Sequence, residues 1–344
     1  MPPHMIAIMG YPPYPRGMPT VPPTRNLALD LMRATEAAAL AAARWVGLGN
    51  KEEGDRAAVE AMRLLLNTVP FRGRVVIGEG EKDQAPMLYN GEEVGTGGVE
   101  MDLAVDPVEG TRLLALGRPG AISVIAAAPK GTLFNPGPGF YAAKLVVPPE
   151  AKEAIDLARS PTENLKEIAK ALRKPVRELT VFVLDKPRHQ ALIEEIRAAG
   201  ARITLQTDGD VAGALAAVLP GTGVDVLMGT GGTPEGVIAA VAVRALGGGM
   251  QMRLDPQGEE EKWNLIHAGY SLERVYTLEE LCASDDTHFA ATGITDGPFL
   301  KGVRYEGGLA RTESLLLRGE TRTLRRVEAW HRMEKLRAIS AVPY

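Results

Sequence analysis

Residues 180–248 read TVFVLDKPRHQALIEEIRAAGARITLQTDGDVAGALAAVLPGTGVDVLMGTGGTPEGVIAAVAVRALGG. The stretch alternates between two periods. TVFVLD is a short apolar run of strand type. PRHQALIEEIRAAG has helical spacing with Gly200 as its stop, and ARITLQTD is again a strand. DVAGALAAVLPG then reads as a helix, VDVLMG as a strand and PEGVIAAVAVRALGG as a helix. This β-α-β-α-β-α series predicts parallel strands with crossover helices, because parallel neighbours need a long connection that a helix supplies.

Open α/β sheets bind ligands in the crevice beyond the carboxyl ends of their strands. Here the three strands end in Asp185-Lys186-Pro187-Arg188, in Asp208-Gly209-Asp210 and in Gly229-Thr230-Gly231-Gly232-Thr233-Pro234-Glu235. Taken singly, Asp-Gly-Asp is a turn with a helix cap and Lys-Pro-Arg a solvated loop. Together, at equivalent positions, they place two basic groups, several carboxylates and a Gly-rich turn on one edge, which points to a ligand site. The backbone N–H groups of GTGGTPEG, with the helix that follows, suit an anion such as phosphate. No Lys follows the last Gly, so this is no Walker loop, and the glycines are wrongly spaced for a dinucleotide fingerprint.

Working outward, NLKEIAKALRK predicts a helix within residues 150–178, the expected hinge between two halves. The first half, 24–150, begins with a helix after Thr24, with Thr24 or Asn26 as N-cap and Gly47 or Gly49 as stop, rich in the best helix formers. A second helix is expected over DRAAVEAMRLLLNTV. Short strands follow in RVVIGEGE, MDLAVDP, AISVIAAAP and YAAKLVV, an α+β arrangement. The second half, 151–344, is the alternating α/β region plus a mixed, charged stretch at 253–285 and a tail that reads as a strand then an amphipathic helix. Residues 1–23 are too rich in Pro for a helix and read as an irregular arm.

Across 344 residues, 39 Lys and Arg stand against 43 Asp and Glu, a balance that argues against a dedicated nucleic-acid binder. The single Cys282 excludes an intramolecular disulfide and a multi-Cys zinc site and fits a reducing, cytoplasmic compartment. No apolar run is long enough to span a membrane, and the N-terminus lacks the basic and apolar regions of a secretory signal.

The first half carries its own acidic cluster. Glu79 and Glu81 lie in IGEGEKD at a strand end, and MDLAVDPVEGT holds Asp102, Asp106 and Glu109. A period of two puts Asp102 and Asp106 on one face, with Pro107 ending the strand and VEGTR opening a helix. Carboxylates bracketing an apolar strand repel each other and resist burial unless a positive group neutralises them. A hard divalent cation does so with oxygen ligands alone.

The motif D-P-V-E-G-T at 106–111 resembles the D-P-[ILV]-D-[GS]-T motif of the lithium-sensitive phosphatase superfamily, with Glu where many members have Asp. With IGEGE and APMLY upstream, and KPRH, DGD and GGTPEG downstream, the chain resembles the class II fructose-1,6-bisphosphatases, the bacterial GlpX family, from about Asn26 to about Arg326. The resemblance implies a layered αβαβα sugar-phosphatase fold. It also implies Mn2+- or Mg2+-dependent removal of the 1-phosphate of fructose 1,6-bisphosphate, leaving fructose 6-phosphate, a step of gluconeogenesis, in a cytoplasmic homodimer or homotetramer.

Carried over by motif, Asp55, Glu79, Asp106, Glu109 and Glu235 would hold metal. Thr111 would orient or deprotonate the attacking water, with Lys51 and Asp83 as further catalytic candidates. Glu109, Gly110, Thr111, Tyr141, Lys186, Pro187, Arg188, Asp208, Gly209, Asp210 and Gly232 would contact the substrate. His189 is expected to cap or solvate a helix, and Cys282 to have no catalytic part. Four departures stand out: the arm 1–23, Asn50 where relatives often have Asp, a loop around 139–141 that is one residue longer, and a shorter segment at 254–270. Rival readings are sedoheptulose 1,7-bisphosphate or inositol phosphates as substrate, a sugar-phosphate-binding regulator without turnover, and an oxidoreductase, which the missing glycine fingerprint disfavours.

Overall fold

The computed structural model describes residues 26–79 and 87–339. The arm 1–23, Thr24, Glu81 and Asp83 lie outside them. The elements in chain order are α1 (Ala28–Ala43), α2 (Lys51–Leu66), β1 (Arg72–Ile77), β2 (Glu93–Val94), β3 (Glu100–Glu109), α3 (Thr111–Leu116), β4 (Ile122–Pro129) and β5 (Tyr141–Val147). Then come α4 (Pro161–Ala171), β6 (Thr180–Leu184), α5 (Gln190–Ala198), β7 (Arg202–Gln206), α6 (Asp210–Val218), β8 (Val226–Gly232) and α7 (Thr233–Leu246). The chain closes with β9 (Gly249–Leu254), α8 (Glu259–His267), β10 (Val275–Thr277), α9 (Leu278–Leu281), β11 (His288–Gly293), β12 (Arg304–Glu306), β13 (Leu309–Arg318), β14 (Thr323–Arg332) and α10 (Met333–Ile339).

The alternating stretch folds as its pattern predicts, with β6 parallel to both β7 and β8. These strands belong to a six-stranded sheet of order β10-β9-β5-β8-β6-β7. A second, eight-stranded sheet runs β12-β13-β11-β4-β3-β1-β2, with β14 beyond β13. The boundary expected near residue 150 does not separate the sheets. β5 pairs antiparallel with β8 and β9 inside the six-stranded sheet, and β11 to β14 return to the eight-stranded one.

Helices α6 and α7 explain the layering. Their sequences, DVAGALAAV and TPEGVIAAVAVRAL, are apolar nearly all round, and a helix of that kind must be covered on every side. They fill the space between the sheets, where Val211, Leu215, Val237 and Ile238 meet Val124 and Ala126 from one sheet and Val146 and Phe182 from the other. Each of these side chains other than Ala126 contributes roughly 1.5–3 kcal/mol relative to exposure. Outside the eight-stranded sheet, α1 and α2 bury Leu31, Leu40 and Met62 against Leu103 and Ile125. Outside the six-stranded sheet, α4 and α5 bury Ile168 and Ile196 against Val181 and Val183. The result is five layers, αβαβα.

Three boundaries differ from the sequence reading. α1 starts at Ala28 with Leu27 as N-cap, while the Asn26 side chain accepts from the Ala28 N–H at 3.2 Å. It stops at Ala43, before either glycine, because the next turn is pinned elsewhere: Gly47 and Gly49 donate to the carbonyls of Leu114 and Ala115. α2 starts four residues before Asp55, since Asn50 caps it by accepting from Glu53 N–H at 3.2 Å, and Glu52 and Glu53 favour its positive end. Finally, β3 runs through Pro107 instead of ending there. The register against β4 slips between Asp106 and Glu109, a bulge, where a residue without an N–H is tolerated.

Candidate active site

The bulge in β3 builds the site. In a regular strand Asp106 and Glu109, three residues apart, point to opposite faces. The extra residue reverses the parity, and both carboxylates converge with Glu235 from the first turn of α7, so that one oxygen of each lies within 4.8 Å of the others. Gly110, at φ 90°, turns the chain from β3 into α3 in a conformation other residues resist. Gly232 leaves room of another kind: a Cβ there would meet the Glu235 carboxylate and displace it.

A cleft of about 300 Å3 opens over these groups, lined by Asp55, Glu79, Asp106, Glu109, Gly110, Thr111, Asp208 and Glu235. Asp55 comes from α2 and Glu79 from just after β1, so four chain segments and both sheets contribute. Thr111 is the first residue of α3. Asp208, beyond the end of β7, accepts from the Arg112 N–H at 3.4 Å and ties that loop to α3.

Burial and mutual repulsion push every one of the five carboxylic acids upward. Burial raises Asp55 to about 6 and Glu235 to about 7. It raises Glu79 to about 8, with the charges of Asp55 and Glu235 adding to the effect. Asp106 and Glu109 are raised well above the ordinary range, again first by burial and then by neighbouring carboxylates. Glu235 Oε2 is buried with no hydrogen-bond partner among the described residues. An oxygen-only donor set, short of positive charge and with an unpaired buried oxygen, fits a divalent metal cation.

Other expected site residues sit apart from the cleft walls. Arg188 donates from Nε and Nη2 to the Thr230 carbonyl at 3.0 and 2.9 Å, and its guanidinium lies 5.0 Å from the centre of the Tyr141 ring. Lys186 is half-buried and Pro187 exposed beside it. Lys51, the first residue of α2, is exposed and 3.7 Å from Glu52, yet one turn from Asp55, whose carboxyl its charge lowers. Gly209, at φ 92°, caps α6, and Asp210 is buried. Asp102 shares a face with Asp106 but is taken up elsewhere, accepting from the Gly131 N–H at 2.7 Å.

One residue was missed from sequence and one was misplaced. Lys144, in β5, is 3% exposed; its ammonium donates to Asp210 and to the Gly232 carbonyl, joining the starts of α6 and α7. A lone Lys inside the apolar run YAAKLVV was the signal, since a charge there requires a partner. His189 stands at the N-cap position of α5 as expected, but its side chain makes no capping bond and is not solvated. It is buried, with Nδ1–H donating to the Leu184 carbonyl at 2.7 Å and Nε2 accepting from the Thr230 N–H at 2.8 Å, which keeps the ring neutral. Among the described residues no helix is long and apolar enough to cross a membrane.

Comparison with known proteins adds a family. The sequence pattern described as bacterial fructose-1,6-bisphosphatase, glpX-encoded, matches residues 25–331. Fructose-1,6-bisphosphatase 1 class 2 of Escherichia coli K12 is 46% identical over 325 residues, covering 90% of this chain and 96% of the relative. The class 2 fructose-1,6-bisphosphatases of Escherichia coli O6:H1 and Shigella flexneri match with the same identity and coverage.

Proposed function

This chain belongs to the bacterial, glpX-encoded fructose-1,6-bisphosphatase family, and on that premise we propose that it hydrolyses the 1-phosphate ester of fructose 1,6-bisphosphate to fructose 6-phosphate and phosphate. The observation that carries the reading is the convergence of Asp106, Glu109 and Glu235, with Asp55 and Glu79 beside them, in one cleft. These five would hold Mn2+ or Mg2+. A divalent cation bound there supplies charge neutralisation for the phosphoryl group and makes water more acidic.

The chain's own groups do the rest. Phosphoryl transfer to water depends mainly on positioning and charge. Thr111 lines the cleft, and its hydroxyl would orient the attacking water or take its proton. Lys51, one turn from Asp55, is a further candidate on the same side of α2, as is Asp83 by resemblance. Arg188, backed by Tyr141 and the Thr230 carbonyl, and Lys186 beside it would anchor the distal phosphate, the guanidinium by its planar fork and the ammonium as a point charge. Gly110, Pro187, Asp208, Gly209, Asp210 and Gly232 would shape the sugar-phosphate site between the strand ends. A cytoplasmic location accords with Cys282, a buried free thiol.

The test is phosphate release from fructose 1,6-bisphosphate by chelated protein, before and after addition of Mn2+ or Mg2+. Sedoheptulose 1,7-bisphosphate and an inositol phosphate serve as competing substrates. Activity that returns with metal and favours fructose 1,6-bisphosphate supports the reading. Full turnover by protein shown by elemental analysis to be metal-free would overturn the metal assignment.

A further inference from the structure

Near the carboxyl ends of the six-stranded sheet, β6 and β8 part. Their parallel pairing ends at Phe182↔Leu227. Three residues further along β8, Thr230 faces β5 at Ala143 on one side, and its own N–H and C=O need partners on the other. Two adjacent side chains from the turn after β6 supply them. His189 Nε2 accepts from the Thr230 N–H at 2.8 Å, and Arg188 donates from Nε and Nη2 to the Thr230 carbonyl at 3.0 and 2.9 Å. The Thr230 hydroxyl donates to the Asp255 carboxylate, just past the end of β9. Every polar group of this one buried residue is thus held.

The holding groups are themselves fixed. His189 Nδ1–H donates to the Leu184 carbonyl at the end of β6. A Cβ at Gly229, whose φ is 131°, would come within 3.0 Å of His189 Nε2, so glycine leaves the imidazole its place. The Asp255 N–H donates to the Tyr141 carbonyl at 2.9 Å, and the Tyr141 ring lies against the Arg188 guanidinium. Arg188, Thr230, Asp255 and Tyr141 therefore close a circuit across four chain segments: the turn after β6, β8, the end of β9 and the start of β5.

We propose that Thr230 is a positioning residue for the distal phosphate, acting through the Arg188 it holds. The inference rests on the reading of Arg188 as the anchor of that phosphate. A guanidinium carries five N–H donors in one plane. Nε and Nη2 share an edge, and that edge is taken by the Thr230 carbonyl. The remaining edge, between Nη1 and Nη2, is a fork suited to two oxygens of a phosphate. A carbonyl and a phenol ring carry no charge, so they orient the cation without neutralising it. Arg188 is exposed, and a long exposed side chain must otherwise be ordered when it binds. The circuit orders it beforehand. Thr230 thus acts on binding at the distal end and not on the chemical step.

The test compares fructose 1,6-bisphosphate with fructose 1-phosphate, which offers the same ester without the distal phosphate, on full-length protein with Mn2+. Thr230→Val keeps the branched shape and removes the hydroxyl. Its KM for the bisphosphate should rise about three- to tenfold, as for loss of one neutral hydrogen bond, with kcat within about twofold of wild type. Its KM for fructose 1-phosphate should move by less than about twofold. Thr230→Ser, which keeps the hydroxyl, should stay near wild type on both. In an Arg188→Ala background Thr230→Val should add nothing, because the two residues act as a unit.

If Thr230→Val fails to fold, Asp255→Ala removes the acceptor of the same hydroxyl and should show the same selective rise. An equal rise on both substrates, or a full effect in the absence of Arg188, would make Thr230 part of the scaffold and overturns the proposal. Wild-type protein that does not hydrolyse fructose 1,6-bisphosphate overturns the proposed activity, and the positioning role falls with it. Wild-type protein that does hydrolyse it, beside variants of unchanged KM, overturns the positioning role alone.

Discussion

Two clusters of charge lie on the eight-stranded sheet, and they are resolved in opposite ways. Where β11 begins and β13 ends, Arg318 is 3% exposed; it pairs with Asp286 at 2.5 Å and with Glu320, and donates to the Thr287 carbonyl at 3.3 Å. One buried cation meets two acids that are each about a third exposed, so the chain's own cation and water together satisfy them. At the end of β3, Asp55, Glu79, Asp106, Glu109 and Glu235 converge with their acidities pushed up by burial. The nearest buried cation, Lys144, is engaged by Asp210 and the Gly232 carbonyl. The first arrangement stabilises a fold. The second leaves negative charge over for a partner from outside, which is the mark of a site.

The comparison breaks most visibly at Glu109. Glu109→Gln keeps an oxygen to accept the Val211 N–H, now at 2.8 Å, so the fold should survive. It removes a charge that metal requires. Phosphatase activity should fall by roughly 10⁴-fold or more, the upper end of a single acid–base group, and metal affinity should fall with it. The metal-free melting temperature should hold or rise, because a neutral side chain relieves repulsion. A variant that binds metal normally would move Glu109 from the site to the scaffold.

Thr111→Ala sharpens the same region without touching a carboxylate. If the hydroxyl handles the attacking water, kcat should drop roughly 10²–10⁴-fold with metal and substrate affinity little changed. If it only satisfies backbone at the start of α3, stability should drop about 1 kcal/mol with near-normal turnover. Measuring kcat, metal affinity and melting temperature on this one variant separates the two.

The closed cluster should behave in the converse manner. Arg318→Leu takes the cation from Asp286 and Glu320, which are about a third exposed and can turn to water, so unfolding free energy should fall by about 1 kcal/mol. Turnover per folded molecule should stay at the wild-type level, because Arg318 contributes nothing to the cleft walls. A stable variant with lost activity would reverse the roles assigned to the two clusters.

The layered fold was largely legible because its signals are periodic. The strands and helices of 180–248 announced parallel strands, and the all-apolar α6 and α7 stand where only a two-sided cover can satisfy them. The carboxylates of the cleft were named from motifs, and the structure brings Asp55, Glu79, Asp106, Glu109 and Glu235 together. What sequence could not give was long-range pairing. Nothing local to YAAKLVV says that β5 joins a sheet whose other strands come later, and nothing local to Lys144 names Asp210, 66 residues on, as its partner. Nor does a period of two foresee a bulge at Pro107, so the convergence of Asp106 and Glu109 was implied by resemblance and not by spacing.

The smallest effect concerns pH, and it runs in opposite directions in the two regions. Burial, with the Arg318 charge next in weight, lowers the His288 pKa to about 4, below the roughly 6.5 of an unfolded histidine. Between those values the unfolded chain takes a proton that the native ring refuses. The stability that His288 contributes is therefore intact above about pH 6.5 and is lost as pH falls toward 4. In the metal-free cleft the shift has the other sign. Asp55 at about 6, Glu235 at about 7 and Glu79 at about 8 hold protons in the native state that the unfolded chain has released. Metal-free stability from this region falls as pH rises through that range, and metal, which displaces those protons, should bind more tightly over the same interval. Melting temperatures of wild type and His288→Asn from pH 4 to 8, each with and without Mn2+, separate the two. The difference between the proteins should be confined to the acid side and be insensitive to metal, while stabilisation by metal should grow toward pH 8. A metal effect that is flat with pH would mean that the cleft carboxylates are already ionised without metal, and the contrast between the closed and the open cluster would then fail.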